Sequence, residues 1–101
     1  MNSKKLRSED VDVLFKAISS LQNVEECYKF FEDVCTVKEM IEMAQRLKAA
    51  RMLTAGSNYL EVCANTGMSS ATISRVSRCL EYGSGGYDIA IERLDRKLKS
   101  T

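Results

Sequence analysis

The stretch NTGMSSATISRVSRCLE, residues 65–81, carries the residue types best suited to chemistry in this sequence. From Gly67 to Leu80 it contains no acidic residue, although 29% of the chain is charged. It has instead several small hydroxyl side chains and two arginines, Arg75 and Arg78. Hydroxyl and guanidinium groups donate hydrogen bonds to phosphate oxygens and base edges, whereas a carboxylate would be repelled by phosphate. These residue types favour a surface that meets a negatively charged partner.

Apolar residues at helical spacing determine which of these side chains face outward. Ile73, Val76 and Leu80 predict the inner face of a helix, with Ser69 or Ser70 as its cap. Helical geometry then places the following residues on the outer face: Ser70, Ala71, Ser74 and Arg78, with Arg75 to one side. The N-terminus of such a helix also attracts phosphate.

A second short helix before Gly67 completes a helix-turn-helix over about residues 58–82. Asn58 and Glu61 have the spacing of a capping box at its start. Gly67 stands where the turn needs a residue tolerant of positive φ, and Cys63 is small enough for the helices to cross closely. An αα-hairpin with a glycine turn has the same pattern without binding DNA, so a helical dimeric protein-interaction module is the alternative.

The apolar contacts of this motif are predicted to come from Val62, Met68, Ile73 and Val76. Thr66 departs from the pattern, because helix-turn-helix motifs usually have an apolar residue at that position.

Four further helices and no strand are predicted around this motif, which gives an all-α fold of about six helices in a single domain, residues 1–101. Three of them are capped by Ser8, Asn23 and Thr36, and the last follows a flexible link at 83–86 and covers 87–100. The third is expected to bury Met40, Ile41, Ala44, Leu47 and Leu53, and the last Ile91, Leu94 and Leu98. The outer face of the last helix has Arg93, Arg96, Lys97 and Lys99, which either are solvated or contact flanking phosphates.

Charge is distributed unevenly along a chain whose net charge is only +1. Residues 1–34 contain five Lys and Arg against seven Asp and Glu, whereas residues 35–101 contain ten against seven. The positive excess therefore falls in the part with the helix-turn-helix, which suits an anionic partner for that part.

Several functional classes find no support in the sequence. The four cysteines form no CxxC pair and the chain has no histidine, so zinc-ligand spacing is missing. No signal peptide or membrane span is recognisable, and we expect reduced thiols in a cytoplasmic protein. Without a glycine-rich phosphate loop or a GxSxG motif, neither an enzyme nor a cofactor is expected. Cys35, at a helix start, leaves redox sensing as an alternative.

The segments CTVKEMIEMAQRLKAARMLTAG and TGMSSATISRVSRCLE resemble the Trp-repressor family, in particular its Trp-repressor-related YerC/YecD branch. The resemblance covers roughly residues 10–82. It implies an intertwined, all-helical homodimer that regulates transcription by placing a recognition helix of each subunit in the major groove of double-stranded DNA. In a homodimer the second subunit would also cover apolar surface that a small single chain cannot bury by itself.

The resemblance assigns roles to individual residues. Together with the outward-facing positions above, it gives this set for DNA binding: Ser69, Ser70, Ala71, Thr72, Ser74, Arg75 and Arg78. Arg46 and Arg75 match the two arginines that enclose the tryptophan ring, and Thr36 matches a threonine that contacts the ligand. Alternatively, Arg46 forms an ion pair and Arg75 contacts phosphate.

Two residues depart from the tryptophan-binding pattern. Val76 stands where the tryptophan-binding proteins have a glycine lining the pocket, and Cys79 replaces a serine that helps hold the ligand's amino group. The valine side chain would project into the space of the ligand ring. We therefore expect sequence-specific DNA binding with little or no response to tryptophan, and either a different small effector or none.

Overall fold

The computed structural model describes the backbone of residues 3–99 and the side chains of residues 5–97. Within residues 3–99 the secondary structure is helical throughout, without strands. The helices are α1 (Ser3–Leu6), α2 (Glu9–Ser19), α3 (Val24–Val34), α4 (Val37–Thr54), α5 (Tyr59–Thr66), α6 (Ser70–Tyr82) and α7 (Gly86–Lys99). The all-α prediction is confirmed: the six predicted helices are α2 to α7, and the four-residue α1 is additional.

Side-chain caps set the starts of the helices where the sequence predicts them. The Ser8 hydroxyl accepts a hydrogen bond of 3.2 Å from the N–H of Val11 in α2. The Asn23 side chain accepts one of 2.9 Å from the N–H of Glu26 in α3. Such bonds satisfy N–H groups that have no partner inside the helix, so these helix boundaries follow from local sequence.

The Cα trace forms two compact units, which divide between Met40 and Ile41. In the first unit, neither α2 nor α3 has a buried side chain. The side chains that remain exposed include large apolar ones: Val13, Leu14, Phe15, Val24, Tyr28 and Val34. These two amphipathic helices therefore lack a closed core in the single chain. The single domain stays a prediction.

The second unit has a buried core to which four helices contribute. Its buried members are Ala49 and Ala50 of α4, Val62 of α5, Ile73 and Val76 of α6, and Ile91 of α7. Half-buried apolar side chains pack around them: Leu47, Met52, Leu53, Cys63, Met68, Leu80 and Tyr87. Helix α6 packs against both α5 and α7, so the core holds α6 from two sides.

The predicted buried stripe of α4 was partly wrong. Ile41 is 52% exposed and Ala44 is exposed, whereas the adjacent Ala49 and Ala50 are fully buried. The core touches only the C-terminal part of α4, where Leu47, Met52 and Leu53 pack around the buried alanines. In α7 Ile91 is buried as expected.

The remaining positions of α7 follow the predicted division between its two faces. Leu94 is half-buried, and Arg93, Arg96 and Lys97 are exposed. The side chains of Leu98 and Lys99 lie outside the described residues. None of the described helices is long and apolar enough to cross a membrane.

Candidate nucleic-acid interface

The first helix of the helix-turn-helix, α5, is fixed at both ends by its own residues. At the start, the Asn58 side chain accepts from the N–H of Glu61 at 2.9 Å, and the Glu61 carboxylate accepts from the N–H of Asn58 at 3.1 Å. At the end, Gly67 has a φ of +71°, and its N–H donates to the Cys63 carbonyl at 2.9 Å. The predicted capping box and glycine turn are confirmed.

Thr66, the departure from the usual pattern, is a buried polar residue whose hydrogen bonds are satisfied. Its hydroxyl donates to the Val62 carbonyl at 2.7 Å and accepts from the N–H of Met68 at 3.2 Å. The second bond ties the last turn of α5 to the segment that leads into α6. A threonine here therefore stabilises the turn by hydrogen bonding, where an apolar residue would contribute only packing.

Ser69 is the cap of α6. Its hydroxyl accepts from the N–H of Thr72 at 3.2 Å and lies 2.9 Å from the Thr72 hydroxyl. Each hydroxyl thus holds the other in place at the start of the helix. The sequence predicts either Ser69 or Ser70 as the cap, and the structure has Ser69 in this role. Ser70, the first residue of α6, is exposed.

The outer face of α6 follows the helical spacing except at Ser74, which is predicted to face outward and is half-buried. Ile73 and Val76 are buried on the inner side, with 0% and 2% of their surface exposed. The exposed residues in and just before α6 include Ser69, Ser70, Ala71, Arg75 and Arg78, whereas Thr72 and Ser74 are half-buried. The first turn of α6 has no acidic residue. Polar groups that attract phosphate are therefore exposed on a helix whose opposite side is anchored in the core.

Both arginines of this face are available to a partner. Among the described residues, neither Arg75 nor Arg78 forms an ion pair with a carboxylate; the ion pair found joins Arg96 and Glu92 within α7, at 3.3 Å. A guanidinium group without a carboxylate partner keeps its full charge and hydrogen-bonding capacity for an external anion.

Tyr87, in the first turn of α7, is a residue that the sequence analysis missed. Its ring is half-buried against the core of the second unit. Burial raises the pKa of its hydroxyl above the ordinary value, the charge of Cys79 raises it further, and the charges of Arg46 and Arg75 lower it. Both arginines therefore act on the same phenol. The spacing of Tyr87, Ile91 and Leu94 on one face of an amphipathic helix was the signal that could have revealed it.

Thr36 belongs to the first unit and serves as a helix cap there. Its hydroxyl accepts from the N–H of Glu39 at 3.1 Å, and its N–H donates to the Glu39 carboxylate at 2.9 Å. The backbone bond from Thr36, followed by the bond from its hydroxyl, lowers the pKa of Glu39. This second capping box accounts for the T-x-x-E pattern at the start of α4 without a ligand.

Comparison with known proteins identifies the family. The model of the family described as "Trp repressor protein" matches residues 9–95. The chain belongs to the Trp-repressor family. Protein YerC of Bacillus subtilis (strain 168), itself uncharacterized, is 50% identical over 94 residues, which are 93% of this chain and 90% of YerC. This similarity supports membership of the Trp-repressor-related YerC branch.

Two solved structures share the fold. The crystal structure of a TrpR-like protein from Eubacterium eligens ATCC 27750 is 49% identical, covers 91% of this chain and 95% of its own, and superposes with a TM-score of 0.87. The crystal structure of a candidate Trp repressor from Staphylococcus aureus is 44% identical and superposes with a TM-score of 0.89. The match covers 94% of this chain and 95% of the Staphylococcus aureus chain. The Trp-repressor fold predicted from the two quoted segments is confirmed.

Proposed function

We propose that this member of the Trp-repressor family is a homodimeric transcription regulator that binds double-stranded DNA through α6. The observation that carries the proposal is the outer face of α6, which exposes hydroxyls and two unpaired arginines while Ile73 and Val76 fix the helix in the core. A recognition helix needs this combination, because base edges are read only when the helix is held rigidly in the major groove. Membership of a family of DNA-binding regulators supports it.

The residues of this face divide into two roles. Ser70, Ala71 and Ser74 point towards base edges, where small side chains permit close approach and hydroxyls donate or accept hydrogen bonds. Arg75 and Arg78 contact phosphates. The hydroxyls of Ser69 and Thr72 hold each other, so their contribution is mainly to position the first turn of α6.

A homodimer fits the exposed apolar side chains of α2 and α3. Phe15 is 50% exposed and Tyr28 54%, on helices without a buried residue, and contact with a second copy would cover such surfaces. Two copies would place their recognition helices at half-sites about 34–36 Å apart, one turn of the DNA helix. Analytical ultracentrifugation should show a dimer that Phe15→Lys dissociates. Leu60→Lys, on the exposed surface of α5, is the matched control and should leave the dimer intact.

Gel retardation on fragmented genomic DNA tests DNA binding. The wild-type protein should retard DNA fragments. The retarded fraction should fall as the salt concentration rises, because phosphate contacts release counterions from the DNA. Arg78→Ala should weaken binding, whereas Lys29→Ala, which removes the same charge from an exposed position on α3, should not. If no fragment is retarded at low salt, the protein-interaction module is the better account.

The proposal includes little or no response to tryptophan. The buried Val76 side chain belongs to the core, at the place where the family resemblance puts the ligand ring. Free tryptophan should therefore leave the retardation pattern unchanged. A shift of the bound fraction on adding tryptophan would contradict this part of the proposal.

A further inference from the structure

A hydrogen bond from Lys48 joins α4 to the end of the first helix of the helix-turn-helix. The Nζ atom of Lys48 donates to the backbone carbonyl of Asn65 at 3.2 Å. These residues are 17 positions apart, whereas the side-chain caps of α2 and α3 join residues three positions apart. The bond therefore ties the helix-turn-helix to another helix of the second unit through a specific polar contact.

The Asn65 carbonyl is one of the groups that a helix end leaves without a partner inside the helix. The last four carbonyls of an α-helix have no intrahelical donor, and a cation near them interacts favourably with the helix dipole. In α5 the Cys63 carbonyl accepts from the N–H of Gly67 at 2.9 Å, whereas the Asn65 carbonyl accepts from Lys48. The end of α5 is thus held by the glycine turn from within the motif and by α4 from outside it.

Lys48 belongs to a part of α4 that the core holds in place. Its neighbours Ala49 and Ala50 are fully buried, and Leu47 packs against the same core. The Lys48 side chain is itself exposed and reaches α5 by its length. Because the backbone at Lys48 is anchored, its hydrogen bond restricts where the end of α5 can lie.

The end of α5 in turn determines where α6 begins. Only residues 66–68 separate Asn65 from Ser69, the cap of α6. Within this segment the Thr66 hydroxyl accepts from the N–H of Met68 at 3.2 Å. A shift at Asn65 would therefore move the first turn of α6, where Ser70 is exposed.

We propose that Lys48 is a positioning residue, which fixes the end of α5 through the Asn65 carbonyl and thereby sets the place of the first turn of α6 on DNA. The fixed end of α5 is a property of the free protein, whereas the effect on DNA rests on the proposed function. Lys48 acts through Asn65 and makes no contact with phosphate.

Hydrogen exchange of backbone amides tests the link between α4 and α5 without DNA. Lys48→Met keeps most of the side-chain length and removes the donor, so the amides of Gly67 and Met68 should exchange about three- to tenfold faster than in wild type. The amide of Ile89, whose hydrogen bond to Gly85 lies at the start of α7, should exchange at an unchanged rate. Lys48→Arg keeps a charged donor and should exchange like wild type.

Arg51→Met is the matched control for the loss of charge. Arg51 follows Lys48 by three positions on α4, is exposed, and has no side-chain hydrogen bond or ion pair among the described residues. Its substitution removes the same charge and leaves the bond to Asn65, so the amides of Gly67 and Met68 should exchange as in wild type. Equal acceleration in Lys48→Met and Arg51→Met would show that the charge matters and not this bond, and would overturn the proposal.

DNA binding tests the positioning part on the same proteins. Lys48→Met should lower the affinity for retarded fragments about three- to tenfold, whereas Lys48→Arg and Arg51→Met should bind like wild type. The slope of log affinity against log salt concentration should be the same in Lys48→Met and wild type, whereas Arg78→Ala should reduce its magnitude by about one. A slope reduced by about one in Lys48→Met would make Lys48 a phosphate contact and overturn its positioning role.

Three further outcomes complete the test. If the wild type retards no DNA but the turn amides exchange faster in Lys48→Met, the proposed function fails and the link between α4 and α5 stands. If these amides exchange faster but Lys48→Met binds DNA as tightly as Arg51→Met, the link does not position α6 and the proposal is overturned. If Lys48→Met does not fold, Lys48→Gln removes the charge on a shorter polar side chain, and it should show the same faster exchange and weaker binding.

Discussion

The N–H of Gly67 donates a hydrogen bond of 2.9 Å to the carbonyl oxygen of Cys63, with Gly67 in the left-handed region at a φ of +71°. This bond closes the last turn of α5 and redirects the chain within three residues towards the cap of α6. The direction in which α6 leaves the turn therefore depends on a backbone conformation that glycine adopts without strain.

Gly67→Ala should destabilise the fold by about 1–2 kcal/mol, because an L-residue is strained in the left-handed region. A Cβ at this position would meet no atom within 4 Å, so the cost comes from the backbone and not from a collision. Urea denaturation measures the loss. Gly86→Ala is the matched control: its Cβ also meets open space, but its φ is not positive, and stability should be kept or slightly increased. Equal effects of both substitutions would contradict this account.

Thr66→Val should lower the free energy of unfolding by about 1–3 kcal/mol, although the two side chains have nearly the same shape. The substitution removes the acceptor of the Met68 N–H and leaves that partly buried donor without its protein partner. Thr66→Ser keeps the hydroxyl and loses one methyl group, which costs about 1 kcal/mol. Denaturation should therefore give Thr66→Ser a higher free energy of unfolding than Thr66→Val. The reverse order would show that the hydrogen bond does not stabilise the turn.

Local signals in the sequence predict the elements and the turn of the candidate interface well. The caps Ser8, Asn23 and Asn58 depend on residues three positions away, and the left-handed φ of Gly67 depends on glycine itself. The inner face of α6 follows from the spacing of its apolar residues. These features are encoded within a few residues, so no tertiary information is needed to find them.

Features that depend on distant helices could not be read in the same way. Ala49 and Ala50 are fully buried while Ile41 is exposed, because the core contacts only part of α4, and hydrophobicity alone ranks these residues in the opposite order. Tyr87 packs against the core that contains Ala50, although 37 positions separate these two residues in the sequence. Such a juxtaposition depends on how α4, α6 and α7 pack.

Ser70→Ala and Ser74→Ala should change the order in which the protein prefers different DNA sequences, because their hydroxyls are proposed to read base edges. The loss of one such hydrogen bond should cost about 0.5–1.5 kcal/mol on preferred sequences and less on others. Arg78→Ala should instead lower the affinity for all DNA sequences by a similar factor. Competition among selected fragments measures the ranking, and Ser84→Ala, exposed in the turn after α6, is the control. An unchanged ranking in both serine variants would refute their base-reading role.

Tyr87 should make the fold sensitive to alkaline pH. Its pKa in the folded chain is raised above 10.0, chiefly by burial, so the folded state holds the phenol proton at pH values where the unfolded state has lost it. The stability that this protonated phenol contributes to the fold is therefore fully present below pH 10.0 and is lost as the pH rises through the pKa of the folded state. Urea denaturation should give free energies of unfolding for wild type and Tyr87→Phe that differ by a constant amount below pH 10.0. Above pH 10.0 the wild type should lose stability faster than Tyr87→Phe. Tyr82→Phe, at an exposed position, is the control, and parallel profiles for wild type and Tyr87→Phe would show that the phenol does not titrate from a buried site.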